Sequence, residues 1–435
     1  MNRFLFLILI FGIISGNISK AQDTENDSLS LSEVIQLIIT THPSVKASEE
    51  TVKNTENNIS LARSGYFPDA DMMASFSNQG PVTKLTIPDM GTFQLFPENN
   101  YSASVNLRQR VYDFGRTRQN IEVEKENRTL NEIGAENVKQ KLSLSAVNVF
   151  YTLVYLQAAI SIKEEQIEAL NGHLSYINKL METGSATEYQ ALSTKVRISN
   201  IESQKVDLVS SLTSQREYMN SLIGNTSGTS VTVKNDFSVL SPSVSQDSLL
   251  TFALNNRNEI HSDAARISLA EMRYGLAKLQ NMPEINFQAT GGAKNGFIPD
   301  LNKIRPNYVV GISLRVPILD ALKNRYRISQ AQSNITSVSY EAETTRRNIS
   351  ADVLDASASM NAAKQKISQF QLQLEQAEKA YSLAEISFRS GMITNLDLLD
   401  ANTAVSETRL LLLKSRIDYA ASIYRLKVSL GQKIY

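Results

Sequence analysis

Two carboxylates, Asp397 and Asp400, stand three residues apart. On a helix that spacing puts both on one face. Like charges held close raise one another's pKa and gather cations, and rings of carboxylates filter or block ions in channels. A plainer role competes for the first of them. Thr394-x-x-Asp397 has the spacing of a capping box at a helix start, and Thr187-x-x-Gln190 repeats it without the charge. The cap does not account for Asp400. Nothing else resembles a reactive constellation. His42, His173 and His261 are far apart, and His173, beside an apolar helix position, reads as a solvated residue. There is no cysteine for a metal or redox site and no phosphate-cradling glycine loop. Enzymatic activity, a metal and a cofactor are therefore not expected.

The elements that carry these residues occur twice. Tyr66-Phe67-Pro68 aligns with Asn281-Met282-Pro283, and Val111-Tyr112-Asp113 with Ile318-Leu319-Asp320. Gly184 then aligns with Gly391, Thr187 with Thr394, Leu192 with Leu399, and Ile223-Gly224 with Leu430-Gly431. Asp400 falls on Ser193, so the second acid belongs to one unit only. The offset is 215 at the first of these pairs and holds at 207 from Val111 onward, which implies a duplicated unit: a first repeat over 22–224, a connector over 225–246 and a second repeat over 247–435. Each unit reads as a helix, a β-hairpin (69–112 and 284–319), a very long helix (about 115–181 and 322–388), a glycine turn and a return helix. The first hairpin loop is the longer one. The connector is rich in Ser, Thr and Gly.

The long helices carry an unbroken 4,3 apolar spacing. It runs Ile349, Val353, Ala356, Met360, Ala363, Ile367 and on to Phe388, and in the first unit from Leu142 to Met181. Lys163 is the one polar member, with a stem able to lie along the seam. Sustained heptads mean coiled-coil packing, here as antiparallel hairpins with Leu410, Leu413, Ile417, Ala420 and Tyr424 on one face of the return helix. At 1.5 Å per residue, a helix of about 65 residues is roughly 100 Å long. A periplasmic coiled-coil spacer that conducts nothing, serving as a structural or partner-binding protein, would also satisfy this pattern.

The strands favour a membrane wall. Tyr101, Ala103, Val105 and Leu107 alternate with Ser102, Ser104, Asn106 and Arg108, and Tyr308, Val310, Ile312 and Leu314 form the matching series. About ten tilted residues of period two cross a bilayer with one face in lipid and one in water; Tyr101 and Tyr308 fall where an aromatic girdle would lie. As one buried face of a soluble sheet, four strands make a poor core. Lipid tolerates no open sheet edge, and the smallest membrane barrels have about eight strands. The wall must therefore be completed by further copies, two, three or four in all. The N-terminus fits export: Arg3, an apolar run over Phe4–Ile14 and the small-residue site Ser19-Lys20-Ala21 predict a signal peptide over 1–21. Position 22 is Gln, which rules out a lipid anchor on a terminal cysteine. No later run is apolar enough to read as a membrane helix. With 44 basic and 44 acidic residues the chain has no net charge, which gives no support to nucleic-acid binding.

In the order Leu29-Ser30-Leu31-Ser32-Glu33-Val34, His42-Pro43, Val111-Tyr112-Asp113-Phe114-Gly115-Arg116, Phe388-Arg389-Ser390-Gly391, Asp397-Leu398-Leu399-Asp400-Ala401 and Leu430-Gly431, the chain resembles the TolC family of outer membrane efflux proteins. The resemblance covers nearly all of the exported chain. It implies a mainly α fold: a homotrimer with twelve strands in one shared barrel and a periplasmic tunnel of twelve helices. It further implies a passive duct of the Gram-negative outer membrane, working with a periplasmic adaptor and an inner-membrane transporter in efflux or type I secretion. Asp397 and Asp400 match acids that ring the closed entrance. The turns Thr183-Gly184-Ser185 and Ser390-Gly391-Met392 match the adaptor-docking tip. Phe388 and Ile393 stand where the family's reference gate has Tyr and Arg, so a closed state here needs another latch.

Overall fold

The computed structural model describes residues 28–225, 232–234, 246–318 and 321–435. The predicted signal peptide, most of the connector and the Leu319-Asp320 pair lie outside them. Each unit opens with two short helices, α1 (Leu31–Thr41) and α2 (Pro43–Ser64) in the first, α5 (Gln246–Asn256) and α6 (Asn258–Leu279) in the second. Pro43 starts α2 at the helix position where a missing N–H costs nothing. The long helices are α3 (Arg116–Glu182, 67 residues) and α7 (Ala321–Arg389, 69 residues). Their return partners are α4 (Glu188–Ile223) and α8 (Asn395–Ser429).

The chain enters α3 through a built corner. After the strand ends at Tyr112, the buried Asp113 carboxylate accepts from the Gly115 N–H (3.1 Å), the Thr117 N–H (2.8 Å) and the Thr117 hydroxyl (2.5 Å). Burial alone would raise its pKa. The hydroxyl and the two backbone donors outweigh burial and hold the carboxyl below the usual carboxylate range.

Every seam residue named above is buried or half-buried. Val147, Phe150, Leu153 and Val154 of α3 pack with Val34 and Ile38 of α1, Met219 of α4 and Ala420 of α8. Ile349, Val353 and Ala356 of α7 pack with Ala253 of α5 and Ile423 and Leu426 of α8. One stretch of α3 is apolar enough by composition to cross a membrane, against the sequence expectation, but half of it is buried within the helical body. Apolar surface needed for a core of three or more helices looks the same in sequence as surface needed for lipid.

Lys163 is enclosed with its charge. It is 7% exposed, and among the described residues its ammonium bonds only the Gln166 carbonyl, at 3.4 Å. Burial lowers its pKa, and Glu407 offsets this only in part. A lysine whose folded pKa lies below its unfolded value penalises the fold at every pH below the folded value. The penalty fades as pH rises through that value towards about 10.4. Lys163→Met is therefore expected to stabilise the helical body at pH 7 by on the order of 1 kcal/mol, read as a higher midpoint of helix melting, with a smaller gain above pH 10. Circular dichroism melts at the two pH values check this; a lower midpoint at pH 7 would count against it.

The strands form one antiparallel sheet in the order β1-β4-β5-β6. Its members are β1 (Asp69–Asn78), β4 (Asn99–Tyr112), β5 (Glu284–Lys294) and β6 (Arg305–Arg315), while β2 (Lys84–Ile87) and β3 (Gly91–Gln94) pair with each other in the first hairpin loop. The extra loop length of the first unit is thus an added small hairpin, where the sequence predicts only a longer loop. The β4–β5 pair joins the two units. Its register places Met72, Val105 and Gly291 in one row, with Tyr308 next to them. Phe287 and Ile312 share that face, and Asp71, Asn106, Thr290 and Val309 share the other. The first face is open: Met72 is 76% exposed, Ile312 75% and Tyr308 82%. Among the described residues, β1 and β6 each have a neighbour on one side only.

Candidate functional site

At the end of the helical body farthest from the sheet, two turns have the same construction. Gly184 (φ +74°) and Gly391 (φ +76°) take the left-handed conformation that ends α3 and α7. The Ser185 N–H returns to the Leu180 carbonyl at 2.8 Å, and the Met392 N–H to the Ser387 carbonyl at 2.9 Å. Thr183 adds a hydroxyl bond to the Leu180 carbonyl, 2.9 Å. Thr183, Gly184, Ser185, Ser390, Gly391 and Met392 are all exposed. Tyr189, Leu192, Leu383, Ile386 and Leu396 leave further apolar surface uncovered around them.

Each carboxylate of the acidic pair has a partner within the chain. Asp397 closes the capping box of α8: its Oδ2 accepts from the Thr394 N–H at 2.9 Å and from the Thr394 hydroxyl at 2.7 Å. Those bonds hold its pKa below the usual range, the opposite direction from mutual repulsion. Asp400 accepts from Arg197 of α4 at 2.7 Å.

The strongest polar link at this end involves residues the sequence reading did not select. Asn395, 4% exposed, sits at the first turn of α8. Its amide nitrogen donates to the Gln190 carbonyl and to the hydroxyls of Ser193 and Thr194 on α4, each at 3.2 Å. Its oxygen therefore faces His173 of α3, 2.6 Å from Nε2, and that nitrogen carries the proton. The His173 ring also stands edge-on to Phe388, 5.2 Å between centroids. The expectation of a solvated His173 was wrong: it is half-buried between the two hairpins. Spacing along α3 placed it correctly beside the seam. It could not reveal that the start of α8 lies across it. Phe388, which lacks the hydroxyl of the reference gate, instead supplies a ring for His173 to pack on.

An open four-stranded sheet, apolar on its outer face, joined to two long helical hairpins defines a class: a chain that supplies part of a membrane barrel and part of a helical duct. The family model described as "Outer membrane efflux protein" matches residues 34–225 and 249–432, one match per unit. The chain belongs to this family. It is a non-enzymatic efflux or secretion channel protein of the outer membrane with a periplasmic helical extension. Outer membrane protein TolC of Salmonella enteritidis is 20% identical over 435 residues, covering 98% of this chain and 86% of its own length. The cobalt-zinc-cadmium resistance protein CzcC of Cupriavidus metallidurans is 20% identical over 420 residues, 94% of each chain. Among solved structures, the Campylobacter jejuni CmeC outer membrane channel superposes with a TM-score of 0.79 at 15% identity, covering 99% of this chain and 94% of its own.

Proposed function

We propose that three copies close a twelve-stranded barrel over one helical tunnel and serve as a passive outlet for an inner-membrane transporter, engaged through a periplasmic adaptor. The carrying observation is the sheet with two free edges and a lipid-ready face. Strand direction alternates along β1-β4-β5-β6, so β1 and β6 run oppositely. The β6 edge of one copy can therefore pair with the β1 edge of the next, antiparallel like every other pair, and head-to-tail addition closes a ring. Closure meets the demand of lipid that no strand edge stay open. Residues 1–21 act as the export signal in this reading.

The six tip residues are the adaptor-docking surface in this reading. The entrance acids are Asp397 and Asp400. The cluster around Asn395 and the Arg197–Asp400 pair are the latch that keeps the second hairpin against the first. Outer-membrane fractions are expected to yield a heat-resistant oligomer that produces stepwise conductance in planar bilayers. Recovery of the processed chain as a water-soluble monomer that never enters a bilayer would overturn the proposal.

A further inference from the structure

On the water-facing side of the sheet, basic side chains near the helical end are matched by acids. Arg108 meets Asp71 at 2.6 Å, Arg110 lies 3.8 Å from Asp113, and Arg116 and Arg315 both reach Glu284. The opposite end of the sheet, next to the hairpin loops, departs from this. Lys294 and Arg305 are direct register partners across β5–β6. Like charges placed opposite one another in an antiparallel pair destabilise it. Among the described residues neither forms an ion pair. Lys294 has only the Phe297 ring, 5.4 Å from its ammonium. Strand alternation places both on the face of Thr290, Asn106 and Asp71, the face that lines the bore when the apolar side meets lipid.

We infer that Lys294 and Arg305 form a basic collar at the outer end of the bore that makes the duct prefer anions. The inference rests on the proposed trimeric channel, in which the collar carries six positive charges from three copies. Charged rings of one sign set ion preference in pores, and a confined charged wall enriches the counter-ion severalfold or more. The acids at the far entrance oppose this in part: Asp400 is paired with Arg197, while Asp397, held by its helix cap, keeps its charge. The solutes favoured by the collar are anionic.

The test is the reversal potential of the full-length protein in planar bilayers under a potassium chloride gradient, kept near 0.1 M so that the collar's field still reaches about 10 Å before it is screened. Wild type is expected to pass chloride in preference to potassium. Lys294→Glu with Arg305→Glu is expected to lower the chloride-to-potassium permeability ratio by about tenfold. Lys294→Gln with Arg305→Gln is expected to give an intermediate ratio, and it serves as the reading if the acidic pair does not assemble. A wild-type channel that prefers potassium, or a ratio unmoved by either pair, would overturn the collar while leaving the channel intact. An assembled oligomer without any conductance would overturn the channel proposal and the collar with it.

Discussion

Asn395→Leu is expected to raise the single-channel conductance of the reconstituted protein severalfold, while Asp400→Asn changes it much less. The order follows from burial. Asn395 is enclosed, and its oxygen is the partner of the His173 Nε2–H. Leucine fills the space but leaves that donor unpaired in a half-dry site, at a cost of about 1–3 kcal/mol. The loss falls on the arrangement that holds the two hairpins together and is recovered when they separate and water enters. A shift of that size moves a closed-to-open equilibrium by about tenfold or more. The Arg197–Asp400 pair is different: its side chains are 31% and 62% exposed, and such a pair contributes about 0–1 kcal/mol. Equal effects of the two substitutions, or the reverse order, would remove Asn395 from the latch.

That latch marks where sequence reasoning stopped. Heptad spacing identified one buried face of each long helix, because a helix has one period; it missed Val147, Phe150 and Val154, which are buried because α3 packs against several helices at once. Alternation identified the apolar face, since Val105 and Ile312 each follow the period of two, and the register brings Met72 and Phe287 onto the same side. Asp397 was legible as a cap from Thr394 alone. Contacts between elements distant in sequence were not legible. Asn395 meets His173 across 222 residues, and Arg197 meets Asp400 across 203. Neither pair obeys any spacing rule, because the relative slide of two hairpins is set by the whole length of their packing. Lys294 and Arg305 were hidden for a related reason. Their opposition depends on the register of a hairpin whose loop length fixes it, and in the linear chain they are two ordinary basic residues beside turns.

The register of the sheet also sets a steric limit on how the barrel is built. Gly292→Val is expected to abolish the heat-resistant oligomer, whereas Gly291→Val leaves it intact. A Cβ at position 292 would lie 2.2 Å from the Ala103 carbonyl oxygen and 2.8 Å from the Ser104 Cα, backbone atoms of β4 that cannot rotate away. At Gly291 a Cβ meets nothing within 4 Å. The two positions are adjacent on one strand and share its conformational freedom, so the contrast isolates the clash. The strand pair affected is the one seam between the two duplicated units in this sheet. Forcing β4 from β5 divides the wall into two separate hairpins, each marginal by itself, and exposes two further rows of unpaired amides where lipid offers no partner. Denaturing gels of unheated outer-membrane fractions read the outcome directly. An oligomer of wild-type yield from Gly292→Val would mean that the β4–β5 pairing does not bear on closure, and that the ring is held by its helices instead.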